Sequence, residues 1–207
     1  MHIVREPLLK PTAIRDLKPT QITVGMREVE AKRVRWRRES EDKGREFLGR
    51  HMIPIVLGPK RRPYLIDHHH LALALHLESV EHVLTTVVSD LSRLDKQAFW
   101  TFLDNRGWMH AFDDEGVRRG YDDIPAAVAD LVNDPYRSLA GALRQAGGYA
   151  KDTTPFSEFL WADFLRRRIG RTTVERKFDK ALELAMAEAK SPHADYLPGW
   201  CGPIDDE

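Results

Sequence analysis

The run from His51 to Ser89 limits the fold more than any other part of the chain. "HMIPIVLGP" is a short apolar stretch closed by glycine and proline, "YLI" is a second, and "HVLTTVVS" is a third, rich in β-branched residues. Runs of this length and type read as strands. Between the second and third lies "DHHHLALALHL", in which Leu71, Leu75 and Leu77, with Ala72 and Ala74, suit the apolar side of a helix. Strand, helix and strand in so short a span imply α/β organisation. The seam of Asp67, His68, His69 and His70 then falls where a strand ends and a helix begins.

Around this unit the pattern is less regular. "TAIRDLK", Thr12 to Lys18, alternates well enough for a short strand that Pro19 ends. From Glu28 to Arg50 the chain is highly charged, with Val29, Val34, Phe47 and Leu48 as sparse apolar contacts. This predicts one or two exposed helices, with Gly44 as the break point. "SRLDKQAFWTFLDNRG" predicts a helix that stops at Gly107, and the stretch from there to Asp123 reads as a loop. Pro125 follows the capping candidates Asp122 and Asp123 and suits a first helical turn. "YRSLAGALRQAGG" predicts another short helix and "FSEFLWADFLRRRI" the next. "TTVE", Thr172 to Glu175, has capping-box spacing for a last long helix reaching about Lys190. The expected architecture is α/β (α+β): a core over residues 1–110 with a small mixed sheet, then a helical half, 111–207, packed on it.

Composition removes several classes of function. The chain has 32 Lys plus Arg against 32 Asp plus Glu, so its formal charge is zero; that argues against a surface that grips nucleic acid all over, though not against a local patch. One cysteine, Cys201, excludes an internal disulfide and a cysteine zinc ribbon. The N-terminus lacks the apolar centre of a signal peptide, and no apolar run approaches the roughly 18 residues that a membrane span needs. The expected compartment is cytoplasmic, with no membrane partner.

Three readings compete for the triple histidine. The histidines are polar residues at a helix start, hydrogen-bonded or solvated; or Asp67 and two of them ligate a metal; or the helix start binds an anion. The metal reading has poor spacing, because neighbouring helical residues point about 100° apart. His51, His76, His82 or His110 could complete a ligand set, and nothing selects one. In the anion reading, unpaired N–H groups and the helix dipole favour phosphate, and the histidines donate hydrogen bonds or transfer a proton. Ligands of open α/β sheets commonly sit beyond the C-terminal ends of strands, where this seam falls, and we prefer this reading.

The same residues resemble a known signature. A strand, then "D-H-H-H" and a small-residue helix is similar to the D-G-H-H-R box of the ParB/sulfiredoxin superfamily. "LKPTQITVGMREVEAK" resembles the opening box of its putative ParB-like nuclease family. "FWTFLDNRGW", "DPYRSLAGAL" and "TPFSEFLWADFLRRRI" look like the same family, so the resemblance runs from about Ile14 to Ile169. It implies phosphate chemistry, which in these relatives includes nucleotide hydrolysis, phosphoryl transfer and claimed nuclease activity. It also implies that phosphates lie against the start of the signature helix. By position, Asp67, His69 and His70 would be catalytic, with Asp67 orienting a histidine or holding a magnesium-bound nucleotide, and His68 would contact phosphate.

The chain departs from that pattern in instructive ways. His68 stands where the signature has glycine, which obstructs close approach of the backbone. Leu71 stands where the signature has arginine, removing a charge-assisted contact. Serine-kinase relatives carry an acid where this chain has Pro19-Thr20-Gln21, and Gln21 can position a substrate but not act as a general base. Thr20, Gln21, Glu28, Lys32, Asp104 and Asn105 complete the expected ligand-binding set, with Glu28 or Glu30 as a replacement carboxylate and Lys32 or Arg27 as a replacement positive charge. The expected function is a phosphate-ester or nucleotide-binding enzyme. The alternative is a non-catalytic DNA-binding or regulatory protein of chromosome-partition type. "KRVRWRR" could contact nucleic acid, although nine basic residues between Arg27 and Arg50 face six acids.

Overall fold

The computed structural model describes residues 9–203. The chain forms two compact units, each drawing on several stretches of sequence: one takes the residues up to Ile22, Val29–Ala111 and Arg119–Leu131, and the other takes Thr23–Glu28, Phe112–Arg118 and the residues from Val132 on.

The first unit is built on a four-stranded mixed sheet with β1 (Leu9–Ala13), β3 (Ile53–Leu57), β4 (Pro63–Leu65) and β5 (His82–Asp90) in the order β1-β5-β3-β4. β5 runs antiparallel to β1, pairing His82 with Ala13, and parallel to β3; β3 and β4 form a hairpin. The strand read from Thr12 is therefore displaced. Pairing with β5 stops at Ala13, and Ile14–Asp16 turn into a 3-10 helix whose Ile14 N–H bonds to the Glu81 carbonyl. The turn of the hairpin holds Lys60 and Arg61 in left-handed conformations.

Helix α1 (Met26–Arg50) is continuous through Gly44, so the expected break does not occur. Helix α2 (His69–Leu77) buries five consecutive residues, Leu71 to Leu75. A helix apolar on every side is enclosed on every side, which explains how a helix of nine residues holds together. Leu77, expected on its apolar face, is instead exposed at its end. α3 (Lys96–Asn105) is capped by Asp95, whose carboxylate accepts the Ala98 N–H at 2.8 Å. Its Phe99, Trp100 and Leu103 form a cluster with Val56, Met109 and Ile124. The helix expected at Pro125 is absent. Tyr121–Asp123 and Val128–Asp130 form single 3-10 turns on either side of it.

The second unit is mainly helical: α4 (Pro135–Gln145), α5 (Ser157–Arg166), α6 (Arg171–Arg176) and α7 (Phe178–Ala189), with a short parallel pair of β2 (Thr23–Val24) and β6 (Val132–Asn133). Trp161, Phe164, Leu139 and Leu143 centre its core, and Tyr149 stacks on Trp161 at 4.3 Å. The expected last long helix is two. Gly170 rather than Thr172 opens α6, and Lys177, at φ −138° and ψ 56°, separates it from α7. Among the described residues no helix is long and apolar enough to cross a membrane.

Candidate functional site

The seam lies in the first unit. β4 ends at Leu65, and Asp67 and His68 lead into α2. His68 adopts the left-handed conformation, φ 66° and ψ 25°. This region is open to glycine at no steric cost and costs other residues roughly 1–2 kcal/mol. The turn is thus of the kind a signature glycine would make, achieved here by an imidazole-bearing residue. Asp67 Oδ1 accepts the His68 N–H at 2.6 Å, and α2 has no side-chain N-cap.

The three histidines divide into different environments, because each step along a helix turns the side chain by about 100°. His69 is 3% exposed. Its Nε2 accepts the backbone N–H of Thr20 at 3.1 Å, so the neutral ring carries its proton on Nδ1. Burial, reinforced by neighbouring His70 and His68, pushes its pKa down to about 3. Thr20 is itself fixed on three sides: its N–H on His69, its hydroxyl on the Leu65 carbonyl at 2.6 Å, and its carbonyl on the His110 N–H at 2.8 Å. A buried imidazole that stays neutral and already accepts a backbone N–H is poorly placed for the proton transfer expected of His69. Its geometry is that of a staple between the signature helix and the Pro19-Thr20-Gln21 box.

His68 is half-buried, and its Nδ1, itself buried, meets no hydrogen-bond partner among the described residues. Burial lowers its pKa; Asp67 and a hydrogen bond between the ring and the Met52 backbone oppose that shift, while Lys32 and His51 add to it. The structure thus brings Lys32, from α1, within electrostatic reach of His68, together with Asp67 and His51. His51, weighed from sequence only as a metal ligand, stacks on Phe47 at 4.2 Å and directs Nδ1 to the Phe47 carbonyl. No sequence signal marked it as a neighbour of the seam. Asp67 is exposed and His70 half-buried.

The other expected residues fall elsewhere. Gln21 is buried, and its backbone pairs with His110 in an isolated parallel bridge. Asp104, near the end of α3, accepts the Tyr121 hydroxyl at 3.2 Å, and Asn105 beside it is exposed. Glu28 belongs to the second unit, where Arg137 Nη1 reaches its carboxylate at 3.2 Å. Its neighbours there include Gly141, where a side chain would collide with that carboxylate. Glu28 is therefore spent on a partly buried ion pair, and nothing described enlists it at the seam. Among the described residues no three His, Cys, Asp or Glu side chains converge in a manner able to hold a metal ion. Asp67 is the acid at the seam that a phosphate-bound magnesium ion would meet.

Comparison with known proteins gives a consistent picture. A family model described as putative ParB-like nuclease matches residues 10–167. The crystal structure of protein Atu1540 from Agrobacterium tumefaciens is similar at 56% identity and a TM-score of 0.88, over 95% of this chain and 99% of that one. No curated protein matches the sequence.

Proposed function

Since the chain belongs to the putative ParB-like nuclease family, we propose that it is a phosphate-ester or nucleotide-binding enzyme working at the start of α2. The observation that carries this reading is the uncapped helix start next to Asp67 and His68, with Lys32 close by. The first N–H groups of a helix have no partner inside it, and with the helix dipole they favour an oxyanion. Lys32 supplies the positive charge that Leu71, in the signature arginine position, does not.

Roles follow from which ring nitrogens already have partners. His69 positions Thr20 and takes no part in proton transfer. His68, with an unpartnered ring nitrogen, is the group for proton transfer to or from a phosphate ester, and His70 is its neighbour on the half-buried side. Asp67 would bind magnesium jointly with the nucleotide's own oxygens; a bound Mg²⁺ supplies charge neutralisation at the phosphate.

Thermal denaturation with ATP, ADP, CTP or inorganic phosphate, with and without magnesium, tests this. A rise in Tm for at least one ligand, lost in Lys32→Ala, supports the site. No rise with any ligand sinks the reading. Retention of DNA by the same protein, falling steeply with salt, would then favour the non-catalytic, partition-type alternative.

A further inference from the structure

α2 has a second functional end. Its C-terminus borders a cavity of about 430 Å³, lined by Ala13, Ile14, Arg15, His76, Ser79, Val80, Glu81 and His82, all within the first unit. His76 lies seven positions after His69, a rise of about 10 Å, so this space is distinct from the seam. The fold shapes it in three steps. β1 stops at Ala13 opposite His82, the chain turns through Arg15, and Ser79 at φ 58° ends α2 and returns the chain into β5. The Ser79 and Val80 N–H groups bond to the His76 and Leu75 carbonyls, so the last turn of the helix is satisfied and the polar groups left over are side chains.

Those side chains are unspent. They are exposed apart from half-buried His76, and they differ from the charges beside them on this unit that pair closely, Arg33 and Arg37 on Glu78 and Arg61 on Asp90. Among the described residues the side chains of Arg15, His76, Ser79, Glu81 and His82 make no hydrogen bond or ion pair, although they border one cavity. The set comprises a guanidinium, two imidazoles and a hydroxyl, all able to donate, and one carboxylate that only accepts.

We propose that this cavity binds a small protonated oxyanion, inorganic phosphate or a phosphate monoester. Arg15 presents the planar fork that suits a tetrahedral oxyanion, with His76, His82 and Ser79 as further donors. Glu81 sets the selectivity. Phosphate near neutral pH keeps an O–H, which the carboxylate accepts; sulfate has none, and its oxygens are repelled by the same carboxylate. A purely electrostatic anion site would omit Glu81. A site that must reject sulfate needs such a group.

The test is a titration of the full chain with inorganic phosphate and, separately, sulfate, followed through the imidazole ¹H–¹⁵N signals of His76 and His82. In wild type and in Lys32→Ala both signals move saturably with phosphate, and sulfate binds at least about tenfold more weakly. Arg15→Ala weakens phosphate about tenfold, the loss of one charge-assisted contact. Glu81→Gln, which preserves shape, brings phosphate and sulfate to near parity. The proposal is overturned if neither signal saturates with phosphate, if Lys32→Ala abolishes the response and so assigns it to the seam, or if wild type binds sulfate as tightly as phosphate. Because Lys32→Ala removes only the seam, failure of one site leaves the other readable.

Discussion

The two ends of α2 use the same residue type in opposite ways. At the start, one histidine of three is withdrawn from solvent and committed to the backbone of Thr20, while its neighbours are half-buried. At the far end, His76 and His82 border open space and bond to no described side chain. The difference is set by what each end packs against. The start is clamped between β4 and the Thr20 segment, which also holds Leu65 and His110. The far end meets the end of β1, the 3-10 turn through Arg15 and the turn at Ser79. Histidine clusters are therefore poor guides to function until each ring's partner is known.

The largest expected effect separates the ends directly. His69→Leu leaves the Thr20 N–H buried and unpaired and should cost about 2 kcal/mol or more in denaturant unfolding. His69→Gln, whose carbonyl can accept that N–H, should recover much of it. Equal losses in both would break the staple account. Acid should expose the same asymmetry. The folded pKa of His69 lies near 3, below the ordinary value of about 6.5, so only the unfolded chain takes up this proton between those pH values. Stability falls as pH drops through that window, with a slope from this group approaching about 1.4 kcal/mol per pH unit. The slope should be flatter in His69→Gln; an unchanged slope would contradict the assignment.

Smaller changes sharpen the contrast. His68→Gly removes the left-handed penalty and should stabilise the fold by roughly 1 kcal/mol, while removing the proposed proton-transfer group. Stabilisation with ligand turnover intact would show that His68 is only a turn residue. Arg15→Ala and Glu81→Gln should leave unfolding within about 0.5 kcal/mol of wild type, as expected for surface groups with no partner. A larger loss would make the far end structural as well.

Much of this was legible in the sequence, and the failures have identifiable causes. The strands around His51 to Ser89 and the helix from His69 follow from local apolar patterning, and the small mixed sheet was expected. Pattern alone misplaced β1, because its end is decided by pairing with β5, some seventy residues away. It merged α6 and α7, because the backbone conformation of one residue, Lys177, divides them. At the seam, three identical residues gave no way to choose the buried one; the choice is made by Thr20, remote in sequence. Lys32 lies within electrostatic reach of His68, whereas Glu28 is drawn into a pair with Arg137, a partner that local pattern does not reveal.

The most direct test of the division within the triple histidine is a pH titration of the folded chain between 7.5 and 4, reading the ring nitrogens of His68, His69 and His70 by ¹⁵N NMR. The account requires His69 to remain neutral with its proton on Nδ1 down to pH 4. If His69 instead takes up a proton near pH 6.5, its ring is open to solvent. It is then not the staple to Thr20, and the assignment of His68 as the working residue fails with it.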